Sequence, residues 1–184
     1  MTKKGLNQNA KYVQDFTDII EPNFIFENKP LNRFEIVKNS GKNTDQNLEK
    51  KTKLEELKRK INSIEDCNLK DNAKNLILGD GYINSSIMLI GETPGDVEDN
   101  SGCSFQGNVG ELLKKMLTAI NINKEKIYTA YSINFRPPDD RKPNSKEIKR
   151  YSIFIKEHIS IINPKIIILM GSTAMEAVTG INNK

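Results

Sequence analysis

Residues 87–110 read IMLIGETPGDVEDNSGCSFQGNVG, and they are the most informative part of the sequence for the fold. Residues 87–90 are an apolar run typical of a short strand that is buried on both faces. The glycines and the proline that follow end the regular backbone. Four acidic residues come next, and these are Glu92, Asp96, Glu98 and Asp99. Open α/β sheets bind ligands in loops at the carboxyl ends of their parallel strands, so we interpret this loop as the mouth of an active site.

The chain alternates between strand and helix patterns on the C-terminal side of this stretch. Helices are predicted at residues 110–120, after Asn144 and at residues 173–178, and strands at residues 126–133 and 165–170. The order predicts an α/β protein with three layers, α/β/α, in which a parallel central sheet is covered by helices on both faces. Side chains predicted to lie in the core are Leu112, Leu113, Met116, Leu117 and His158. The strand at residues 165–170 is expected to be buried.

Residues 1–50 form a polar, Asn- and Lys-rich extension that we expect to be partly disordered, with a mobile linker at residues 39–48. An amphipathic helix is predicted at residues 51–64, so the α/β domain should comprise residues 51–184. Residues 79–81, Gly-Asp-Gly, predict a turn. The last predicted helix has no strand after it, and we therefore expect the domain to be incomplete at its C-terminus.

The bulk properties narrow the class of protein. A chain of 184 residues predicts about one domain, and a net charge of +4 favours a polyanionic partner. The two cysteines, Cys67 and Cys103, lie in no paired motif, which predicts a reducing compartment with neither a disulfide framework nor a zinc site. There is no run of ~20 apolar residues, so the sequence predicts a cytoplasmic protein that does not interact with a membrane.

Three motifs occur in order. They are GETPGDVED with GCSFQGNVGELLKKML, then RPPDDRKPNSKEI, then INPKIIILMGSTAMEAVTG. Together they resemble the uracil-DNA glycosylase superfamily, in particular its bacterial and archaeal family 4, over residues 67–180. The resemblance implies a monomeric DNA repair enzyme that flips a uracil nucleotide out of DNA and hydrolyses its N-glycosidic bond without a metal.

The same resemblance implies the site residues. Those expected to be catalytic are Glu92 and Glu98, those expected to contact the base are Gly91, Phe105 and Tyr131, and those expected to contact DNA are Arg136, Arg141 and Lys142. Alternatives remain open for each group. The acidic residues are also compatible with a solvated turn or a magnesium site, Phe105 with core packing, and the basic residues with a charged surface loop.

The chain departs from the family at three places. The four iron-sulfur ligand positions hold Ile64, Cys67, Phe135 and Tyr151, so a single thiolate remains and no cluster is expected. Tyr131 stands where the family has an asparagine that reads the edge of uracil. No His-Pro motif follows Gly180, which predicts reduced or lost activity if the 184 residues are the whole product.

The leading hypothesis is therefore a uracil-excising hydrolase, either intact or as a truncated or degenerate copy with reduced activity. Two other functions remain open on the sequence alone. One is a noncatalytic nucleic-acid-binding module that keeps the fold and pocket. The other is a nucleotide-binding accessory domain of a larger replication protein.

Overall fold

The structure is a computed structural model that describes residues 42–181, with side chains from residue 46 onward. The predictions for residues 1–41 and 182–184 lie outside this part of the chain. The helices are α1 (Lys42–Asn62), α2 (Asn68–Asn72), α3 (Asp96–Ser101), α4 (Gly107–Ala119), α5 (Ser145–Ile162) and α6 (Ser172–Thr179). The strands are β1 (Gly79–Gly81), β2 (Ile87–Gly91), β3 (Tyr128–Tyr131) and β4 (Ile166–Leu169).

The four strands form one sheet in the order β1-β3-β2-β4. Strands β3, β2 and β4 are parallel to one another, whereas β1 pairs with β3 in antiparallel orientation. The predicted α/β architecture with a parallel sheet is confirmed. The predicted turn at residues 79–81 is wrong, because this short segment hydrogen-bonds along the edge of β3 as a strand.

Helices cover both faces of the sheet because the strand side chains alternate between two hydrophobic clusters. On one face, Met88 and Ile90 belong to the cluster that contains the buried side chains of α1, α5 and α6. On the other face, Leu89 packs in the cluster that contains Leu113 and Leu117 of α4. His158 of α5 is buried, as predicted, and its Nε2 lies 3.0 Å from the Tyr128 hydroxyl.

Two predictions of burial are wrong. Leu112 and Met116 on α4 are 58% and 59% exposed, since only one side of this helix faces the sheet. Strand β4 lies at the edge of the sheet, and Ile166, Ile167 and Ile168 are exposed rather than buried. An apolar run of this kind predicts a strand, but it does not indicate whether neighbouring elements cover the strand.

The first described helix differs from its prediction in extent. Helix α1 begins at Lys42 rather than at residue 51, so residues 42–48 of the predicted linker are helical. The apolar face expected on this helix is present, with Leu54, Leu57 and Ile61 buried. None of the described helices is long and apolar enough to cross a membrane.

Candidate active site

The candidate site lies at the carboxyl edge of the sheet, where β2 and β3 end side by side. Gly91 pairs with Tyr131 in the parallel register. Beyond the strands, the Ser132 amide donates to the Gly91 carbonyl at 2.9 Å, and the Ser132 hydroxyl donates to the Glu92 carbonyl at 2.6 Å. These bonds extend the pairing by one residue. Gly91 and Tyr131 are therefore held next to each other at the floor of the site.

Glu98 joins three parts of the loop that follows β2. Its Oε2 accepts a hydrogen bond from the Gly95 amide at 3.1 Å, which caps helix α3. Its Oε1 accepts from the Gln106 amide at 3.0 Å and from the Tyr131 hydroxyl at 3.4 Å. The side chain is buried, so these donors replace the water that a carboxylate would otherwise require. Glu98 thus holds the loop in shape rather than standing free in a cleft.

Phe105 adopts a backbone conformation that is uncommon for a residue with a side chain, with φ at 50°. Its amide donates to the Tyr131 hydroxyl at 3.1 Å, and its carbonyl accepts from Lys124 Nζ at 3.2 Å. A methyl group at Gly110 would lie 1.9 Å from this carbonyl, so α4 can approach only because residue 110 is glycine. Strained residues persist where their surroundings determine them, and such residues cluster at functional sites.

The ring of Phe105 stacks on the ring of Tyr131. Their centroids are 4.9 Å apart and their planes differ by 18°. Both side chains are buried, with 3% and 4% of their surfaces exposed. A methyl group at Gly91 would lie 2.9 Å from atoms of both rings, so the pair rests directly on the backbone of β2. Burial raises the pKa of the Tyr131 phenol well above its ordinary value, which keeps the hydroxyl protonated and able to donate to Glu98.

Glu92 faces the opposite side of the site, towards the start of α6. Its Oε1 accepts from the Thr173 amide at 2.9 Å and from the Ser172 hydroxyl at 3.5 Å. A methyl group at Gly171, where φ is 103°, would lie 2.5 Å from the Glu92 carboxyl carbon. The carboxylate therefore caps the helix amides through the space that Gly171 leaves. The two predicted catalytic carboxylates therefore have different partners. Glu92 bonds to the first residues of α6, whereas Glu98 bonds to its own loop and to Tyr131 of β3.

The remaining acidic residues of the loop also have separate partners. Asp99 is buried and accepts from the amides of Lys74 and Asn75 at 2.9–3.1 Å. Asp96 pairs with Arg136 at 2.7 Å. In the described part of the chain, no group of three or more His, Cys, Asp and Glu side chains could hold a metal ion. The loop acids thus serve separate structural contacts rather than one shared cation site.

The basic loop after β3 is partly neutralised. Besides its pairing with Asp96, Arg136 donates to both carboxylate oxygens of Asp140 at 2.7 and 2.9 Å. Arg141 forms a two-point pair with Glu147 at 2.6 and 2.9 Å, and its hydrogen bonds hold the pKa of Glu147 below the usual value. Lys142 is exposed on the same loop. Of the three residues predicted to contact DNA, Lys142 is the cation whose charge is most available to a phosphate.

Residues 78–184 match the model of the uracil DNA glycosylase superfamily. The chain belongs to this superfamily. The matched segment runs from the residue before β1 to the last residue of the chain, so it contains the sheet and every element of the candidate site.

Several curated proteins named type-4 uracil-DNA glycosylase are similar to this chain. The protein of Thermotoga maritima is 36% identical over 109 residues, which are 59% of this chain and 57% of that protein. The protein of Sulfurisphaera tokodaii is 35% identical over 119 residues, 64% of this chain and 54% of that protein. The protein of Pyrobaculum aerophilum is 30% identical over 124 residues, 67% and 63% of the respective chains. The resemblance to family 4 is confirmed, and the matches span 54–63% of these relatives' lengths.

The four side chains that the family resemblance places at iron-sulfur ligand positions lie in one hydrophobic cluster. They are Ile64, Cys67, Phe135 and Tyr151, and all four are buried. Cys67 Sγ lies 3.3 Å from the Tyr151 hydroxyl, and the Phe135 and Tyr151 rings meet edge to face. One thiol among aliphatic and aromatic side chains does not fit a cluster that requires four ligands. We propose that packing of these side chains takes the structural place of an iron-sulfur cluster.

The sequence analysis did not identify several residues that support the candidate site. The Ser104 hydroxyl, immediately before Phe105, lies 2.6 Å from the Thr129 hydroxyl and 2.8 Å from Asp80 Oδ2. Asp80 belongs to β1, for which the Gly-Asp-Gly pattern predicted a turn. The position of Phe105 thus depends on a short edge strand that carries no sequence pattern of its own.

Proposed function

We propose that the chain is a hydrolase domain that removes uracil from DNA, with its base slot beside the floor at Gly91, on the face of the Phe105 ring that Tyr131 covers. Its membership of the superfamily and the names of its type-4 relatives support this proposal. The observation that carries it is the arrangement around Phe105. A strained residue, buried at the carboxyl edge of the sheet, is fixed by bonds to its amide and carbonyl.

The chemistry assigned to these residues follows from the charge that develops in the reaction. As the glycosidic bond breaks, the sugar becomes oxocarbenium-like and uracil leaves with negative charge. Water adds its hydroxyl group to the sugar and supplies the proton that the base requires. We assign the backbone of Gly91 and the Phe105 ring to the base, Glu92 to the water, and Glu98 to positioning of the loop. The substrate is uracil-containing DNA and the protein acts as a monomer.

A gel assay tests this function directly. Single-stranded and mismatched uracil oligonucleotides are incubated with the full chain and then treated with alkali, which cleaves abasic sites. We expect uracil-dependent cleavage that falls at least tenfold in Phe105→Leu and Glu92→Gln. The matched control for Glu92→Gln is Glu111→Gln, an exposed glutamate on α4 outside the site. Absence of abasic sites at any protein concentration would refute the proposed activity.

A second function is favoured by one observation, the stacking of Tyr131 on Phe105. If the phenol remains there permanently, no base can lie on that face of the ring. The domain would then bind nucleic acid without excising a base, through the loop that contains Arg136, Arg141 and Lys142. Salt-dependent binding of DNA with equal affinity for uracil and thymine, together with no abasic product, would favour this alternative.

A further inference from the structure

Tyr131 fills the space against Phe105 in which an extruded base would have to stack. The two rings are nearly parallel at 4.9 Å between centroids, within the range for offset aromatic stacking. Both rings rest on Gly91, where even a methyl group would come within 2.9 Å of them. There is accordingly no room for a pyrimidine between the phenol, the phenyl ring and the strand.

The Tyr131 hydroxyl also takes the polar contacts that a base could use. It accepts from the Phe105 amide at 3.1 Å and donates to Glu98 Oε1 at 3.4 Å. A pyrimidine offers carbonyl acceptors and an N–H donor on its edge, so it could make the same kinds of bond. The phenol resembles a base in both respects, since it has a flat face for stacking and a polar group at the edge.

We propose that Tyr131 is an internal occupant of the base slot, and that a base can enter only when this phenol has left Phe105. This inference rests on the proposed function, because it concerns the same slot. The backbone of β3 cannot supply the movement, since the residue after Tyr131 is bonded to the Gly91 and Glu92 carbonyls. Entry therefore requires rotation of the Tyr131 side chain about its own torsions.

A slot that is closed most of the time weakens the binding of its ligand. The apparent affinity falls in proportion to the fraction of molecules in the open state. Replacement of Tyr131 by a side chain too small to cover Phe105 should remove this penalty. Tyr131 would thus determine how strongly the domain distinguishes an extruded base from the rest of the DNA.

A binding experiment measures this effect without requiring catalysis. The probe is a fluorescent single-stranded oligonucleotide with one 2′-fluoro-2′-deoxyuridine, whose fluorine disfavours the cationic sugar and so blocks cleavage. The comparison oligonucleotide carries thymidine at that position. We expect Tyr131→Asn to bind the fluorinated probe at least tenfold more tightly than the unsubstituted protein, with little change for thymidine DNA. Tyr82→Asn, the same change at an exposed tyrosine, is the matched control and should show no gain.

The outcomes separate this inference from the proposed function. A folded Tyr131→Asn protein with no gain for the fluorinated probe would overturn the inference, whatever its activity. A gain in binding without uracil release from cleavable DNA would support the inference and refute the glycosylase activity. If Tyr131→Asn does not fold, Tyr131→Leu retains an apolar contact in the cluster but no flat ring. The same tenfold gain is expected of it, and its absence would equally overturn the inference.

Discussion

At the residue scale, the shape of the candidate slot depends on Glu98. One buried carboxylate accepts hydrogen bonds from Gly95, Gln106 and Tyr131, which lie on two sides of the loop and at the end of β3. A carboxylate has enough lone pairs to accept all three bonds, whereas an amide would place an N–H₂ group against donors. This is a physical reason for an acidic residue at position 98 that does not involve catalysis.

Substitution of Glu98 should therefore destabilise the domain. We expect Glu98→Gln to reduce the free energy of unfolding by about 1–3 kcal/mol, because at least one buried donor loses its acceptor. Chemical denaturation monitored by circular dichroism measures this change. Glu111→Gln, the exposed control, should change stability by less than about 0.5 kcal/mol. Equal stability of the two variants would contradict the structural role given to Glu98.

The burial of His158 should make the free energy of unfolding depend on pH. Burial lowers the pKa of His158 to about 4, from an unfolded value near 6.5. The contribution of neutral, buried His158 to the free energy of unfolding is therefore fully present above about pH 6.5. It is lost as the pH falls towards 4, because the unfolded chain binds the proton more readily. The loss should reach roughly 3 kcal/mol near pH 4.

Denaturation of the full chain across this pH range measures the effect. His158 is the only histidine in the sequence, so His158→Phe should remove the histidine component of the slope between pH 6.5 and 4. An unchanged slope in that variant would show that the histidine is not buried in its neutral form.

At the element scale, helix α4 shows which features of a helix can be predicted from the sequence and which cannot. Periodicity located the helix, but Leu112 and Leu113 are adjacent and both apolar, so spacing alone did not tell which one faces the sheet. The packing against Leu89 selects Leu113. The helix also begins at Gly107, earlier than predicted, because its N-cap residue Gln106 is fixed by bonds from its amide to Glu98 and from its side chain to the Ser104 carbonyl.

These two leucines supply a matched pair of substitutions. Leu113→Ala should reduce the free energy of unfolding by about 2–5 kcal/mol, since it leaves a cavity in the cluster beneath Phe105. Leu112→Ala, in the same helix with 58% of the side chain exposed, should change it by less than about 0.5 kcal/mol. Thermal or urea unfolding measures both values. A larger loss of stability in Leu112→Ala than in Leu113→Ala would mean that α4 packs against the sheet through its other side.

At the scale of the whole molecule, the alternation of strand and helix patterns predicted the parallel sheet, and the motifs led to the proposal of a site in the loop after β2. They could not predict the antiparallel edge strand β1, which is only three residues long. They also could not predict that Arg136 and Arg141 are paired with acids, because those pairings join residues through folded loops. Nor does a motif indicate that Tyr131 lies flat on Phe105, since this depends on strand register.

The hydrophobic packing around Cys67 leads to a prediction about the iron content of the purified protein. If packing of Ile64, Phe135 and Tyr151 replaces an iron-sulfur cluster, the full chain should contain no iron above background and show no visible absorbance. Elemental analysis of protein prepared without oxygen measures this. About four irons per chain, the content of a cubane cluster, would contradict the proposal.

We infer that Phe105 and Tyr131 form one slot that takes either the phenol or an extruded uracil. Its most direct test is the rate at which free uracil is released from single-stranded uracil DNA, measured by mass spectrometry for the unsubstituted protein and Tyr131→Asn. We expect faster release by Tyr131→Asn, and loss of that release when Phe105→Leu is added. Equal or slower release by a folded Tyr131→Asn protein would contradict it.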